Sequence, residues 1–134
     1  MEFWCEAVGY VPEPAPDGWS SWLEYWRSAG IPDEDLVGAE HGSGAIVDPE
    51  GVLPRIWFQE VPEGKTVKNR LHLDLRHTPG RDQMPYAARR ASLEAEVERL
   101  VALGAAVAHV NAPEGADYFA VTLRDPEGNE FCIV

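Results

Sequence analysis

Two side chains that could move a proton stand two residues apart near the middle of the chain. Residues 70–76 alternate strictly between polar and apolar types, which predicts a strand with His72 and Asp74 on one face. A histidine held by a carboxylate is suited to general acid–base catalysis, because imidazole titrates near neutral pH. Asp74 could equally pair with Arg76 or Arg124, so the sequence alone leaves both roles of this carboxylate open.

The elements that would position this pair can be read from the second half of the chain. The apolar face of the strand carries Leu71, Leu73 and Leu75, which we expect in the core. Apolar residues at helical spacing predict a helix that begins near Tyr86 and stops at Gly104. Strands are predicted over residues 105–110, 118–124 and 130–134. The predicted order is therefore β-α-β-β-β.

A short helix predicted over residues 19–29 carries three indole rings on one side. Trp19, Trp22 and Trp26 follow the spacing i, i+3 and i+7. We expect these rings in a core or an interface, because one helix alone cannot cover three of them. The alternative is a lid over a flat aromatic ligand, with Trp22 as a ligand contact.

The first half follows the same order without its first strand. Residues 1–7 form a predicted helix that no strand precedes, and the helix over residues 19–29 is interpreted as an insertion. Strands are predicted over residues 44–47 and 53–60. A missing strand would leave an open sheet edge. Translation from an upstream start, a partner chain over the gap or a simply open cleft would each account for it, and we expect a homodimer.

One tetrapeptide, Asp-Pro-Glu-Gly, occurs at residues 48–51 and again at residues 125–128, each time just before a stretch rich in strand-forming residues. Its residue types match the positions of a type I turn. Two copies 77 residues apart indicate a duplicated unit. We therefore expect two half-modules, residues 1–64 and 65–134, that together form one domain.

The charge of the chain is concentrated in its first half. Of the formal net charge of −12, residues 1–64 supply −11, from 13 acidic and 2 basic residues. Such a surface argues against nucleic acid and anionic lipid as partners and favours water or cationic compounds. With no membrane segment and no signal peptide in the pattern, we expect a cytoplasmic protein in which Cys5 and Cys132 are free thiols.

Several stretches resemble the glyoxalase-like proteins of the vicinal oxygen chelate superfamily, which includes glyoxalases, dioxygenases and bleomycin-resistance proteins. The resemblance lies in residues 3–10, 68–75, 93–100 and 125–132. It implies an α+β fold of two β-α-β-β-β modules, whose curved mixed sheet forms a central cleft, with the first strand of module one missing here. Such a cleft binds a small organic molecule, and we expect Trp57, Gln59, His72, Cys132 and Trp22 among its ligand contacts.

Metal-using members of the superfamily place ligands on the first and last strands of each module. By resemblance, His72 matches the first-strand position of the second module, whereas Cys132 stands where relatives have Glu. Gln59 lies nearest the last-strand position of the first module. We therefore expect no resident metal; if one is bound, Gln59, His72 and Cys132 would hold it, and their types would suit zinc.

Two classes of function remain open at this stage. In the first, the protein is an enzyme in which His72, helped by Asp74, moves a proton beside a carbonyl or holds a metal. Cys132 could also act as a nucleophile with His72 as its base, although inert packing is the commoner role of a cysteine in a terminal apolar strand. In the second class, the protein sequesters a cationic or aromatic compound without chemistry. His41, His77 and His109 are predicted surface residues.

Overall fold

The computed structural model describes residues 1–134 and divides into two compact units, Met1–Val61 and Pro62–Val134. Each unit has its own sheet, of three strands in the first and four in the second. The α+β class agrees with the sequence prediction, while the boundary after residue 64, the single curved sheet and the central cleft stay predictions. No helix in the structure combines the length and apolar character needed to cross a bilayer.

The first unit contains two helices and an antiparallel sheet of order β1-β2-β3. Its elements are α1 (Glu2–Val8), β1 (Val11–Pro12), α2 (Trp22–Ser28), β2 (Ala45–Val47) and β3 (Ile56–Trp57), with short 3-10 turns at Asp33–Asp35 and Ala39–His41. The sequence does not predict β1, because proline interrupts most strand patterns. Pro12 is tolerated there because β1 is an edge strand, and the side of an edge strand that faces away from its neighbour needs no backbone N–H for pairing.

Two predicted elements of this unit are too long. Helix α2 begins at Trp22 rather than near residue 19, because the hydroxyl of Ser21 accepts the backbone N–H of Glu24 and so caps the helix there. The strand predicted over residues 53–60 shortens to Ile56–Trp57. Beyond that strand, only the N–H of Phe58 continues the pairing, with the carbonyl of Gly44.

The second unit follows the predicted order β-α-β-β-β. Its elements are β4 (Asp74–Leu75), α3 (Tyr86–Ala102), β5 (Ala106–Asn111), β6 (Ala120–Arg124) and β7 (Glu130–Ile133). The sheet order is β4-β7-β6-β5, with β4 parallel to β7 and the other pairs antiparallel. The largest fully buried side chains of this unit are Leu93, Leu100, Leu123, Phe131 and Ile133.

The strand predicted over residues 70–76 is wrong in length, and its apolar face is not all core. Only Asp74 and Leu75 form β4, and residues Leu71 and Leu73 are 81% and 50% exposed. Pairing with β7 begins only at the carbonyl of Leu73, which accepts the N–H of Cys132. Without a paired neighbour, the residues before Leu73 have no sheet to pack their apolar side chains against.

Both Asp-Pro-Glu-Gly tetrapeptides form the predicted turns. The N–H of Gly51 donates to the carbonyl of Asp48 at 3.0 Å, and the N–H of Gly128 donates to the carbonyl of Asp125 at 2.9 Å. The first turn precedes β3 and the second joins β6 to β7. The second turn therefore sets the register of the hairpin that carries Cys132.

Candidate functional site

Strand pairing in the second unit brings a group of polar side chains to one face of the sheet. Asp74 of β4 lies opposite Cys132 of β7 in the parallel pair, and Thr122 of β6 lies opposite Cys132 in the antiparallel pair. Side chains of directly paired residues point to the same face of a sheet. His72 precedes Asp74 by two residues and joins the same group.

The side chains of His72, Asp74 and Cys132 form a compact cluster. His72 Nε2 lies 3.1 Å from Asp74 Oδ1, and one donor atom from each of the three residues lies within 4.8 Å of the others. The thiol belongs to a residue that is only 7% exposed, whereas the side chains of His72 and Asp74 are 52% and 59% exposed. The cluster thus combines a buried sulfur with two polar groups that a ligand can reach.

The contact with Asp74 is compatible with the tautomer of the neutral imidazole that a base needs. Nε2 lies within hydrogen-bond distance of a carboxylate oxygen, so a ring with its proton on Nε2 can donate to Asp74 Oδ1 and keep the lone pair on Nδ1. A lone pair on a half-exposed ring nitrogen can accept a proton from a bound molecule. The carboxylate then stabilises the imidazolium that forms. His72 and Asp74 therefore have the arrangement of a base and its orienting partner.

An ion network holds the segment that leads into His72. Glu130, two residues before Cys132 on β7, forms ion pairs with Lys68 and with Arg124, the latter at 3.6 Å. The side-chain amide of Asn69 donates to the carbonyl of Glu130 at 3.3 Å. Residues just before His72 are thereby attached to the strand that carries Cys132.

Comparison with protein-family models identifies the family of this chain. The profile of the glyoxalase-like domain family matches the chain over residues 1–134. The chain belongs to the glyoxalase-like domain family. Comparison with curated proteins and with solved structures gives no match. The match over the whole length agrees with the resemblance to vicinal oxygen chelate proteins.

The remaining predicted contacts of this glyoxalase-like protein lie in the first unit. Trp57 on β3 is 57% exposed, and Gln59 is exposed after the end of that strand. The indole N–H of Trp22 donates to the carbonyl of Glu13 at 2.9 Å, and its ring packs against Tyr25 with centroids 5.7 Å apart. Their roles as ligand contacts stay predictions.

Sequence reasoning missed Thr122, whose Oγ1 lies 3.1 Å from Cys132 Sγ. The signal that could have found it is the second Asp-Pro-Glu-Gly turn, because the turn pairs Arg124 with Glu130 and so residue 122 with residue 132. The same face extends to His109 of β5, which lies opposite Thr122 and is exposed, as predicted for a surface histidine.

The donor set of the cluster fits a divalent ion of the zinc type. It offers one nitrogen, one oxygen and one sulfur atom, and zinc accepts imidazole, carboxylate and thiolate ligands together. Asp74 is the member that the sequence-based set of Gln59, His72 and Cys132 lacked. Both cysteines are free of disulfide bonds, as expected, so the sulfur of Cys132 is available as a ligand.

Proposed function

We propose that this glyoxalase-like protein binds a small organic molecule over the polar face of the second sheet, and that His72 exchanges a proton with it. The observation that carries the proposal is the 3.1 Å contact between His72 Nε2 and Asp74 Oδ1. Both side chains are half-exposed, so the imidazole can meet a ligand without a rearrangement of the backbone.

The proton transfer uses the tautomer of His72 that carries its proton on Nε2, next to Asp74. Nδ1 accepts a proton from a carbon next to a carbonyl group of the bound molecule, and the Asp74 carboxylate stabilises the resulting imidazolium. The imidazolium returns the proton to the same or a neighbouring atom. A positioned base of this kind contributes a factor of about 10²–10⁴ to a rate.

A divalent ion held through Nε2 would replace this proton transfer rather than accompany it, because an imidazole bound to a metal through Nε2 carries its proton on Nδ1. His72, Asp74 and Cys132 would hold the ion. The chemistry it would supply is polarisation of an oxygen of the ligand.

Sequestration without chemistry is the second candidate, and the aromatic surface of the first unit favours it. Trp19 and Trp57 are 41% and 57% exposed, so each offers an apolar ring face to solvent. Both basic residues of this acidic unit, Arg27 and Arg55, are already in ion pairs with Asp33 and Glu13. The remaining carboxylates and the indoles together suit a cationic or aromatic compound.

A homodimer belongs to the same proposal. Strand β3 pairs only with β2, so Ile56 and Trp57 leave one side of their backbone without a strand neighbour within the sheet. Open strand edges of this kind are ready sites for pairing with another chain. A cytoplasmic location and the lack of nucleic-acid and membrane partners stay predictions.

Proton exchange in D₂O tests the proposal and separates its two candidates. Small aldehydes, ketones and aromatic cations are screened for binding by thermal shift, and each carbonyl compound is then followed by NMR for deuterium uptake beside its carbonyl. We expect His72→Gln to abolish uptake while binding persists. His77→Gln is the matched control, because His77 is also an exposed histidine of the second unit.

The two possible outcomes point to different functions. Uptake that depends on His72, and less strongly on Asp74, supports proton transfer. Binding of aromatic cations with no His72-dependent uptake from any carbonyl compound that binds would refute proton transfer and favour sequestration.

A further inference from the structure

The His72–Asp74–Cys132 cluster contains a sulfur donor, which sets it apart from a site of carboxylates and imidazoles. We propose that Cys132 binds a metal ion as a thiolate and that the second unit thereby selects zinc-type ions, such as Zn²⁺ and Co²⁺, over Mn²⁺ and Mg²⁺. The inference names the ion for the site of the proposed function. The choice of ion does not depend on the proposed function; only the effect of the ion on a bound molecule rests on it.

The distances in the cluster are close to those of a tetrahedral site. Donor atoms around a tetrahedral zinc lie about 3.3–3.6 Å apart, as its bond lengths require. The nitrogen and oxygen of His72 and Asp74 are already 3.1 Å apart, and all three donors lie within 4.8 Å of one another. Closing the site therefore takes a movement of about 1 Å, which side-chain rotation supplies.

Burial gives the three ligands different parts in the site. Cys132 lies on β7, between β4 and β6, and its residue is only 7% exposed, so the sulfur is the fixed donor. His72 and Asp74 lie at the sheet edge with half-exposed side chains, so they can close onto an ion held at the sulfur. Three protein ligands on an accessible face leave a fourth position for water or a ligand, as catalytic zinc sites do.

Ligand softness decides which ions the cluster prefers. Thiolates favour zinc-type ions, whereas Mg²⁺ and Mn²⁺ favour carboxylate, carbonyl and water oxygens. Binding forms a metal–sulfur bond and releases the thiol proton of Cys132 to solvent, so the charge on sulfur is neutralised by the ion. His72 binds the ion through Nε2, so its ring proton moves to Nδ1, and bonds to the ion replace the direct contact of Nε2 with Asp74.

Thr122 supports the thiolate from the other side. Its Oγ1 lies 3.1 Å from Cys132 Sγ, so the hydroxyl can donate to the sulfur while another sulfur lone pair faces the ion. Loss of such a supporting hydrogen bond lowers metal affinity by about 10–100-fold. Thr122→Val is thus expected to weaken binding without removing a ligand.

Cobalt spectroscopy tests the thiolate directly and needs no ligand or activity. Chelator-stripped protein is titrated with Co²⁺ under a thiol-free reductant, and a thiolate-to-cobalt charge-transfer band is followed in the near ultraviolet. We expect one equivalent of Co²⁺ to saturate the band, Zn²⁺ to displace it stoichiometrically, and a large excess of Mg²⁺ or Mn²⁺ to leave it in place.

Variants assign the band to its residue. Cys132→Ser removes the band, while Cys5→Ser, which changes the other free cysteine, in the first unit, leaves it intact. Asp74→Asn and Thr122→Val each weaken the affinity for Co²⁺ by about 10-fold or more, and they keep the result interpretable if Cys132→Ser does not fold.

The inference is overturned if the wild-type protein gives no such band with Co²⁺, if Cys5→Ser removes the band, or if Mn²⁺ displaces Co²⁺. His72-dependent deuterium uptake in the presence of chelator reports on the proposed function separately, so either idea can fail without the other.

Discussion

The turn that sets the β6–β7 register depends on the carboxylate of Asp125. Its Oδ1 accepts the backbone N–H groups of Glu127 at 3.0 Å and Asn129 at 2.8 Å, and its Oδ2 accepts the side-chain amide of Asn129 at 3.1 Å. The residue is only 6% exposed. Asp125→Ala should therefore destabilise the hairpin that carries Thr122 and Cys132.

The expected loss follows from what replaces the carboxylate. Hydrogen bonds to charged groups contribute about 1.5–3 kcal/mol each, but water can reach part of an opened turn, so the total loss is about 2–3 kcal/mol. Asp48 holds the equivalent turn of the first unit and accepts three backbone N–H groups, those of Glu50, Val52 and Leu53. Because the groups it binds are exposed and water can replace the carboxylate, Asp48→Ala should cost clearly less than Asp125→Ala.

Residue-resolved amide hydrogen exchange is the suitable assay, because it reports on each unit by itself. A loss of 2–3 kcal/mol lowers the protection of β6 and β7 amides by about 30–150-fold, and we expect Asp48→Ala to lower that of β2 and β3 by a smaller factor. The reasoning is wrong if Asp48→Ala costs as much as Asp125→Ala, or if Asp125→Ala leaves the protection of β7 unchanged.

Two further predictions concern the first unit. The Arg55 guanidinium, which donates to Glu13 at 2.7 Å and 2.8 Å, lowers the pKa of that carboxyl below its ordinary value. A lowered folded-state pKa stabilises the unit above the unfolded value of about 4.3, and this contribution is lost as the pH falls through the folded value. Glu13→Gln should therefore destabilise the unit at pH 7 and weaken the dependence of its stability on pH below about pH 4.3. Glu34→Gln, a change at an exposed glutamate of the same unit, is the control and should have neither effect. The same loss of stability at low pH in Glu13→Gln as in the wild type would contradict this prediction. We also expect a dimer mass by light scattering at micromolar concentration; a monomer mass there would rule out the homodimer.

Local patterns predicted the elements of the second unit well, because each element has a period of its own. The alternation around His72 and the helical spacing of Leu93 and Leu100 gave the β-α-β order, and the Asp-Pro-Glu-Gly turn gave the last hairpin. Element ends were less predictable. Strand β4 is short because its hydrogen bonds with β7 begin only at Leu73. This pairing joins residues far apart in sequence, so the alternation of residues 70–76 cannot predict where it begins.

The site shows the same division between local and non-local information. That His72 and Asp74 share a face follows from alternation alone. Their approach to Cys132 depends on the parallel pairing of β4 with β7, across the helix and two strands that separate them in sequence. Only the family resemblance suggested that approach, and Thr122 lay outside both kinds of reasoning.

The edge position of β4 explains why a histidine and a carboxylate can stand beside a buried thiol. In the middle of the sheet, both ionisable groups would lose water, and burying a charge is costly unless it is fully paired. At the edge, His72 and Asp74 keep about half of their exposure while Cys132, one strand further in, is packed on both sides. The sheet thus holds the sulfur in place and leaves the base and its partner free to respond to a ligand or an ion.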